Sequence, residues 1–247
     1  MTPTENFISH LIELRTRLLR IVIGMLVVFI ALFPFANEVY ALLAEPLLSQ
    51  LPSGGQMIAT GVTTPFFVPL KVAMMAAFLI ALPHTLYQVW AFVAPGLYAH
   101  EKKFMVPVII AASLLFLAGM AFAYFLVFPV VFGFIIGTVP QGVAVMTDIG
   151  NYLDFVMTLF FAFGLAFEVP IAVVMAVYFD WVSIDKLRES RGYVIVGAFV
   201  IGAIFTPPDI ISQFMLAVPM WLLYELGIIV ARITTKNRLE PSIRQQD

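Results

Sequence analysis

Apolar residues in this chain gather into six runs, at 18–35, 66–92, 105–136, 152–179, 193–205 and 212–231. Most approach or exceed the roughly 20 residues a helix needs to cross a hydrocarbon core about 30 Å thick. They do not alternate as barrel strands do. The pattern predicts an all-α polytopic membrane protein with six transmembrane helices in a single domain over 1–232. The third run, at 1.5 Å per residue, reaches roughly 45 Å and must tilt or project. The fifth reaches only roughly 20 Å, too short for an unperturbed bilayer, so the fifth and sixth helices are expected where the membrane is thinned. Between Glu38 and Leu51, Val39, Leu42, Leu43 and Leu47 fall near one face, predicting a periplasmic interfacial helix at about 38–50. Pro83, Pro107, Pro129, Pro170 and Pro219 should bend their helices. From 233 to 247 the polar sequence predicts a disordered tail.

Polar positions set the topology. Arg15, Arg17 and Arg20 precede the first run. Lys102 and Lys103 follow the second, and Lys186, Arg188 and Arg191 follow the fourth. Arg232, Lys236, Arg238 and Arg244 follow the sixth, while 36–65, 138–151 and 206–211 hold no Lys or Arg. Positive charge stays inside, so both termini are expected in the cytoplasm of a bacterial inner-membrane protein. The first run follows its arginines without a small-residue cleavage site, so it should remain as a membrane helix.

Composition agrees: 62% of residues are hydrophobic and 11% charged, too little polar surface to coat a soluble globule. With no cysteine, thiolate metal sites and cysteine nucleophiles are excluded. His10, His84 and His100 lack ligand spacing, so no metal or other cofactor is expected. There is no phosphate-binding loop, no GxSxG, and HEKKF has Phe104 where a zinc motif needs its second histidine. An enzyme is not expected.

Few residues remain to carry chemistry. Glu168 lies near the middle of the fourth run, where an ionised carboxylate costs at least about 2.5–3.5 kcal/mol, which points to a functional role over a purely structural hydrogen bond. Gln88 and Lys71 are possible polar partners, Lys71 as a snorkelling side chain. Glu13 has i,i+4 spacing to Arg17 and reads as a local ion pair, with recognition of a cationic peptide by Glu13 and Glu101 as the alternative. TPPD reads as a helix start, with Thr206 the cap and Pro207 the first helical residue.

The segments HLIELRTRLLR, YQVWAFVAPGLYAHEKK, MAFAYFLVFP, FGLAFEVP and YVIVGAFVIGAIFTPPD, in that order, closely resemble the twin-arginine translocase TatC family of proteobacterial type. The resemblance implies a curved, concave, glove-like bundle with short fifth and sixth helices. It also implies a signal-peptide receptor and core component for export of folded proteins, driven by the proton-motive force. Glu13 and Glu101 would bind the paired arginines of the signal peptide, with Arg17 and Phe92 beside them, and Glu168 would face a hydrated groove. Pro46, Asp209 and Gln213 match positions of functional importance, so Asp209 is expected to act in assembly as well as in the cap. The implied partners are TatA and TatB, with TatB near the fifth helix, along with signal peptides and further copies of the chain; nucleic acid is not among them. TTPFFVPLK lacks an acidic residue that some relatives carry before the second helix. The competing reading from the residues is a proton-coupled small-solute carrier with Glu168 as the coupling carboxylate.

Overall fold

The computed structural model describes residues 3–51, 56–93, 102–140, 143, 145–205 and 210–243. Glu101, Thr206, Pro207 and Asp209 therefore lie outside the described residues. The described chain is almost wholly helical: α1 (Pro3–Leu32), α2 (Ala36–Leu48), α3 (Thr64–Val93), α4 (Lys102–Phe122), α5 (Phe128–Gly137), α6 (Ile149–Phe167), α7 (Val169–Tyr178), α8 (Ile184–Glu189), α9 (Arg191–Phe205) and α10 (Ile210–Ile243). These form five apolar helical spans of membrane-crossing length, while α9 stands apart as a shorter apolar helix. At 15 residues, α9 extends about 22 Å, as its short run requires.

Several of the expected spans depart locally from a regular helix, and each departure has a covalent cause. The first span and the interfacial helix are joined by a single 3-10 turn, Phe33–Phe35, built on Pro34. Leu43 and Leu47 of α2 are buried with Ala36, Ala44 and Pro46, but Leu42 is 63% exposed, so the packed face is narrower than the one read from sequence. The third span contains a π turn, Ala123–Val127, in which Phe128 N–H reaches back to Ala123 O. Pro129 follows at once. It has no N–H to donate, and widening the preceding turn accommodates its ring. Pro170 also coincides with a break in the fourth span, where α6 ends and α7 begins around Glu168, here through a tightened turn. Pro83, Pro107 and Pro219, by contrast, lie within unbroken helices.

The last helix is longer than the resemblance implies. α10 spans 34 residues, so it is not short. It continues through 233–243, beyond the apolar run. No glycine or proline interrupts the sequence between Gly227 and Pro241, and an established helix propagates at one bond per residue.

The chain divides into two compact units, Met1–Leu114 with Ala144–Leu153, and Leu115–Val143 with Asp154–Asp247. In the first, α3 packs on α1 and α2. At the α1–α3 crossing a Cβ on Gly24 would come 2.9 Å from His84 Cδ2, and His84 Nε2 lies 3.2 Å from Arg20 O. In the second unit, α4 and α6 meet through reciprocal glycines. A Cβ at Gly119 would fall 2.5 Å from Phe163 O, and one at Gly164 would fall 2.6 Å from the Phe116 ring. Each helix thus receives a phenylalanine-bearing turn of the other in a notch only glycine leaves open. α10 packs on α7 in the same manner, with Gly227 against Pro170 and Val173.

Candidate functional site

α1 carries His10, Glu13, Arg17 and Gly24 at spacings of three, four and seven, which places them along one stripe of the helix. α3 carries His84, Gln88 and Phe92 at spacings of four. The helices are antiparallel here, because His84 meets Arg20 and Gly24 while the Phe92 ring stacks on His10, centroids 4.3 Å apart and planes 20° from parallel. Within this end of the unit, Arg17 donates from both Nε (2.9 Å) and Nη2 (2.5 Å) to Glu13 Oε1. The other carboxylate oxygen, Oε2, lies 4.0 Å from His10 Nδ1. The expected i,i+4 ion pair of Glu13 and Arg17 is made, and Phe92 joins this end of the unit through His10. The pair is part-buried, with the Arg17 side chain less exposed than that of Glu13. His10, which has no metal-ligand spacing, is the ring that fixes Phe92.

Glu168 sits at the break between α6 and α7. Its N–H donates to Leu165 O (3.1 Å) and its O accepts from Ala172 N–H (3.0 Å), so a tightened turn passes the chain into α7. Its side chain makes no cap hydrogen bond. Its Oε1 is buried without a hydrogen-bond partner among the described residues. On α6 one turn earlier, Phe163 and Phe167 pack with Phe122, so the carboxylate follows directly on the aromatic cluster held by Gly119.

At the other end of the first unit, two segments without Lys or Arg are joined. Ile58 N–H donates to Thr147 O (3.0 Å) and Ile149 N–H to Ile58 O (2.9 Å), forming one parallel bridge. Asp148 Oδ2 accepts from Thr60 N–H (2.9 Å) and Thr60 Oγ1 (2.7 Å), and its Oδ1 accepts from Gly150 N–H (2.9 Å) and Asn151 N–H (3.1 Å). The Thr60 hydroxyl, then the backbone N–H donors, hold the carboxyl low, at about 2. Asp148 is both the N-cap of α6 and the closure of this clasp. Buried Tyr152 adds a bond from its hydroxyl to Leu43 O (2.7 Å), which ties in α2 next to Pro46. The partners that link distant segments, Thr60 with Asp148 and Tyr152 with Leu43, do not stand out in the sequence, where they are 88 and 109 residues apart.

In the second unit, Gln213 Nε2 donates to Phe199 O (2.9 Å), and Gly202 leaves the room for it. This joins α10 to α9. A second link is Arg191, whose Nε lies 2.6 Å and Nη2 2.7 Å from the two oxygens of Glu225. Tyr224 beside it donates to Leu187 O (2.8 Å). Glu225 is thereby neutralised by a two-pronged guanidinium, the treatment Glu168 does not receive.

Residues 9–219 match the family model for Sec-independent protein translocase protein (TatC). The chain is 56% identical over 236 residues to the Sec-independent protein translocase protein TatC of Azotobacter chroococcum, covering 95% of this chain and 92% of that one. To the TatC of Escherichia coli strain K12 it is 52% identical over 229 residues, covering 93% and 89%. To that of Aquifex aeolicus it is 38% identical over 234 residues, covering 94% and 97%. A crystal structure of the twin arginine translocase receptor TatC is similar with a TM-score of 0.76 at 37% identity, over 92% of this chain and 99% of that one. The chain belongs to the TatC family of Sec-independent protein translocase proteins, whose members are components of a transport machinery rather than enzymes.

Proposed function

We propose that this chain is the signal-peptide receptor and core component of a twin-arginine translocase in a bacterial inner membrane, with both termini cytoplasmic. Glu13 and Glu101 accept the paired arginines of the signal peptide, and the stacked His10–Phe92 rings supply an apolar edge beside them. The bundle organises TatA and TatB and associates with further copies of itself, and the proton-motive force drives export. Asp209 and Gln213 act in that assembly. The observation that carries the reading is the Glu13 carboxylate, which already holds a guanidinium through two hydrogen bonds in the first half of α1, close to Arg15, Arg17 and Arg20. A site that fits Arg17 fits the same group on a peptide, since the planar fork of donors is what a carboxylate selects over the point charge of lysine. The orientation gains support from the clasp, because the two segments it joins are both free of Lys and Arg.

The test is crosslinking to a signal peptide bearing Arg-Arg or Lys-Lys, on the unmodified chain and on Glu13→Ala and Glu101→Ala variants. Strong crosslinking is expected only for Arg-Arg on the unmodified chain. Equal crosslinking throughout would remove both carboxylates from the site.

A further inference from the structure

Glu13 is not empty. Its Oε1 is occupied by Arg17, a residue of the same helix turn, through the two donors a signal arginine would use. A ligand guanidinium must displace Arg17 or share the carboxylate with it. Displacement breaks that pair and strands a charge, because the Arg17 side chain is just 19% exposed. An unpaired cation at that depth is costly unless an acceptor stands ready.

Such an acceptor is present on α3. Gln88 is 5% exposed, and its Oε1 is buried with no hydrogen-bond partner among the described residues. An unsatisfied buried carbonyl in a packed helix pair calls for an explanation. Its position follows from the helix register. His84 meets Arg20 and Gly24, Phe92 meets His10, and Gln88 lies midway between His84 and Phe92 on the same face. In the antiparallel pair it therefore stands level with the middle of the α1 stripe, where Arg17 is.

We propose that Arg17 is a resident stand-in for the signal arginine on Glu13, and that Gln88 is the acceptor that takes Arg17 over when a peptide guanidinium displaces it. The inference rests on the receptor reading above. It makes Gln88 a positioning residue: it touches Arg17 in the occupied state and not the peptide. The exchange keeps both guanidinium groups hydrogen-bonded, the entering one on the Glu13 carboxylate and Arg17 on the Gln88 amide oxygen. It also sets a threshold, since a lysine ammonium lacks the planar fork with which a guanidinium replaces a two-pronged arginine.

The test is a binding titration of the full chain in lipid nanodiscs with a fluorescent peptide carrying two consecutive arginines before an apolar segment. Gln88→Leu is expected to weaken binding about tenfold, the value of one hydrogen bond to a charged group. In an Arg17→Met background, which keeps the apolar stem but has no charge to relocate, Gln88→Leu is expected to change binding less than about twofold. Gln88→Glu, which still accepts, should bind at least as tightly as the unmodified chain, and it serves as the test if Gln88→Leu does not fold. An equal loss in both Arg17 and Arg17→Met backgrounds would overturn the exchange by making Gln88 a direct peptide contact. No loss in either would make it a packing residue, and weakened binding in Gln88→Glu would overturn the proposal as well. Glu13→Ala, run alongside, separates the two levels: unchanged binding there removes the receptor site itself, whereas lost binding there with an inert Gln88 removes only the exchange.

Discussion

Asp148 and Glu168 stand twenty residues apart on one continuous stretch of chain, yet the fold treats their carboxylates in opposite ways. Asp148, at the start of α6, accepts four hydrogen bonds from three residues. Glu168, at its end, has a buried oxygen without a partner among the described residues. A carboxylate the fold saturates has its role in the fold, and one left unsatisfied in an apolar span has a cost that the structure around it does not repay. The difference marks Asp148 as a residue of the fold and makes Glu168 the one to test for a role in export.

The largest expected effect comes from Glu168→Leu. It should favour membrane insertion by about 2.5–3.5 kcal/mol on an insertion assay while export of a folded cargo is lost. Export that survives would place Glu168 with Asp148 among structural residues. Glu168→Gln refines the result, since it keeps polarity without titration. Retained export there would point to hydration, and lost export to proton transfer through the carboxyl.

Next in size is Gly119→Val, where the new side chain must displace the Phe163 backbone one turn before Glu168. Overpacking of this kind costs about 1–3 kcal/mol, and the thermal midpoint in detergent should fall accordingly. An unchanged midpoint would mean that α4 and α6 are not locked at that notch.

Asp148→Ala should abolish the clasp, which amide exchange at Thr60, Gly150 and Asn151 would report. Export should fall less than for Glu168→Leu, and a larger loss would reverse the comparison. The smallest effect is that of acid. The carboxyl titrates at about 2 in the fold, below the value of about 3.9 for an unperturbed aspartate. The clasp's contribution is therefore full above about pH 4 and is lost as the pH falls through about 2. Amide shifts of Thr60 and Gly150 should titrate with that midpoint, and a midpoint near 4 would show that the hydrogen bonds are not formed.

Much of this is legible in the chain because lipid imposes a length on apolar runs. The five long spans, the short α9 and the isolated Glu168 each follow from one-dimensional rules of length and polarity. So does Arg17 on Glu13, since i,i+4 neighbours meet whatever the tertiary fold. What escapes such rules needs two distant segments at once. Thr60 with Asp148, Tyr152 with Leu43 and Arg191 with Glu225 are ordinary polar residues until the fold brings them together. The prolines divide for a related reason: Pro129 and Pro170 coincide with altered turns, whereas Pro83, Pro107 and Pro219 are absorbed into continuous helices. The length of α10 is hidden by composition, because a polar stretch reads as a stop although no residue between Gly227 and Pro241 ends a helix.

The Thr60–Asp148 bond also imposes an order on biogenesis. Its acceptor is translated 88 residues after its donor, which at about 5–20 residues per second is a delay of roughly 4 to 18 s. Throughout that interval the Thr60 donors have no acceptor to close on. The segment around Thr60 must therefore wait in water, unfastened, until the start of the fourth span arrives, and a nascent chain halted before Asp148 would carry its first hairpin without the closure that completes it.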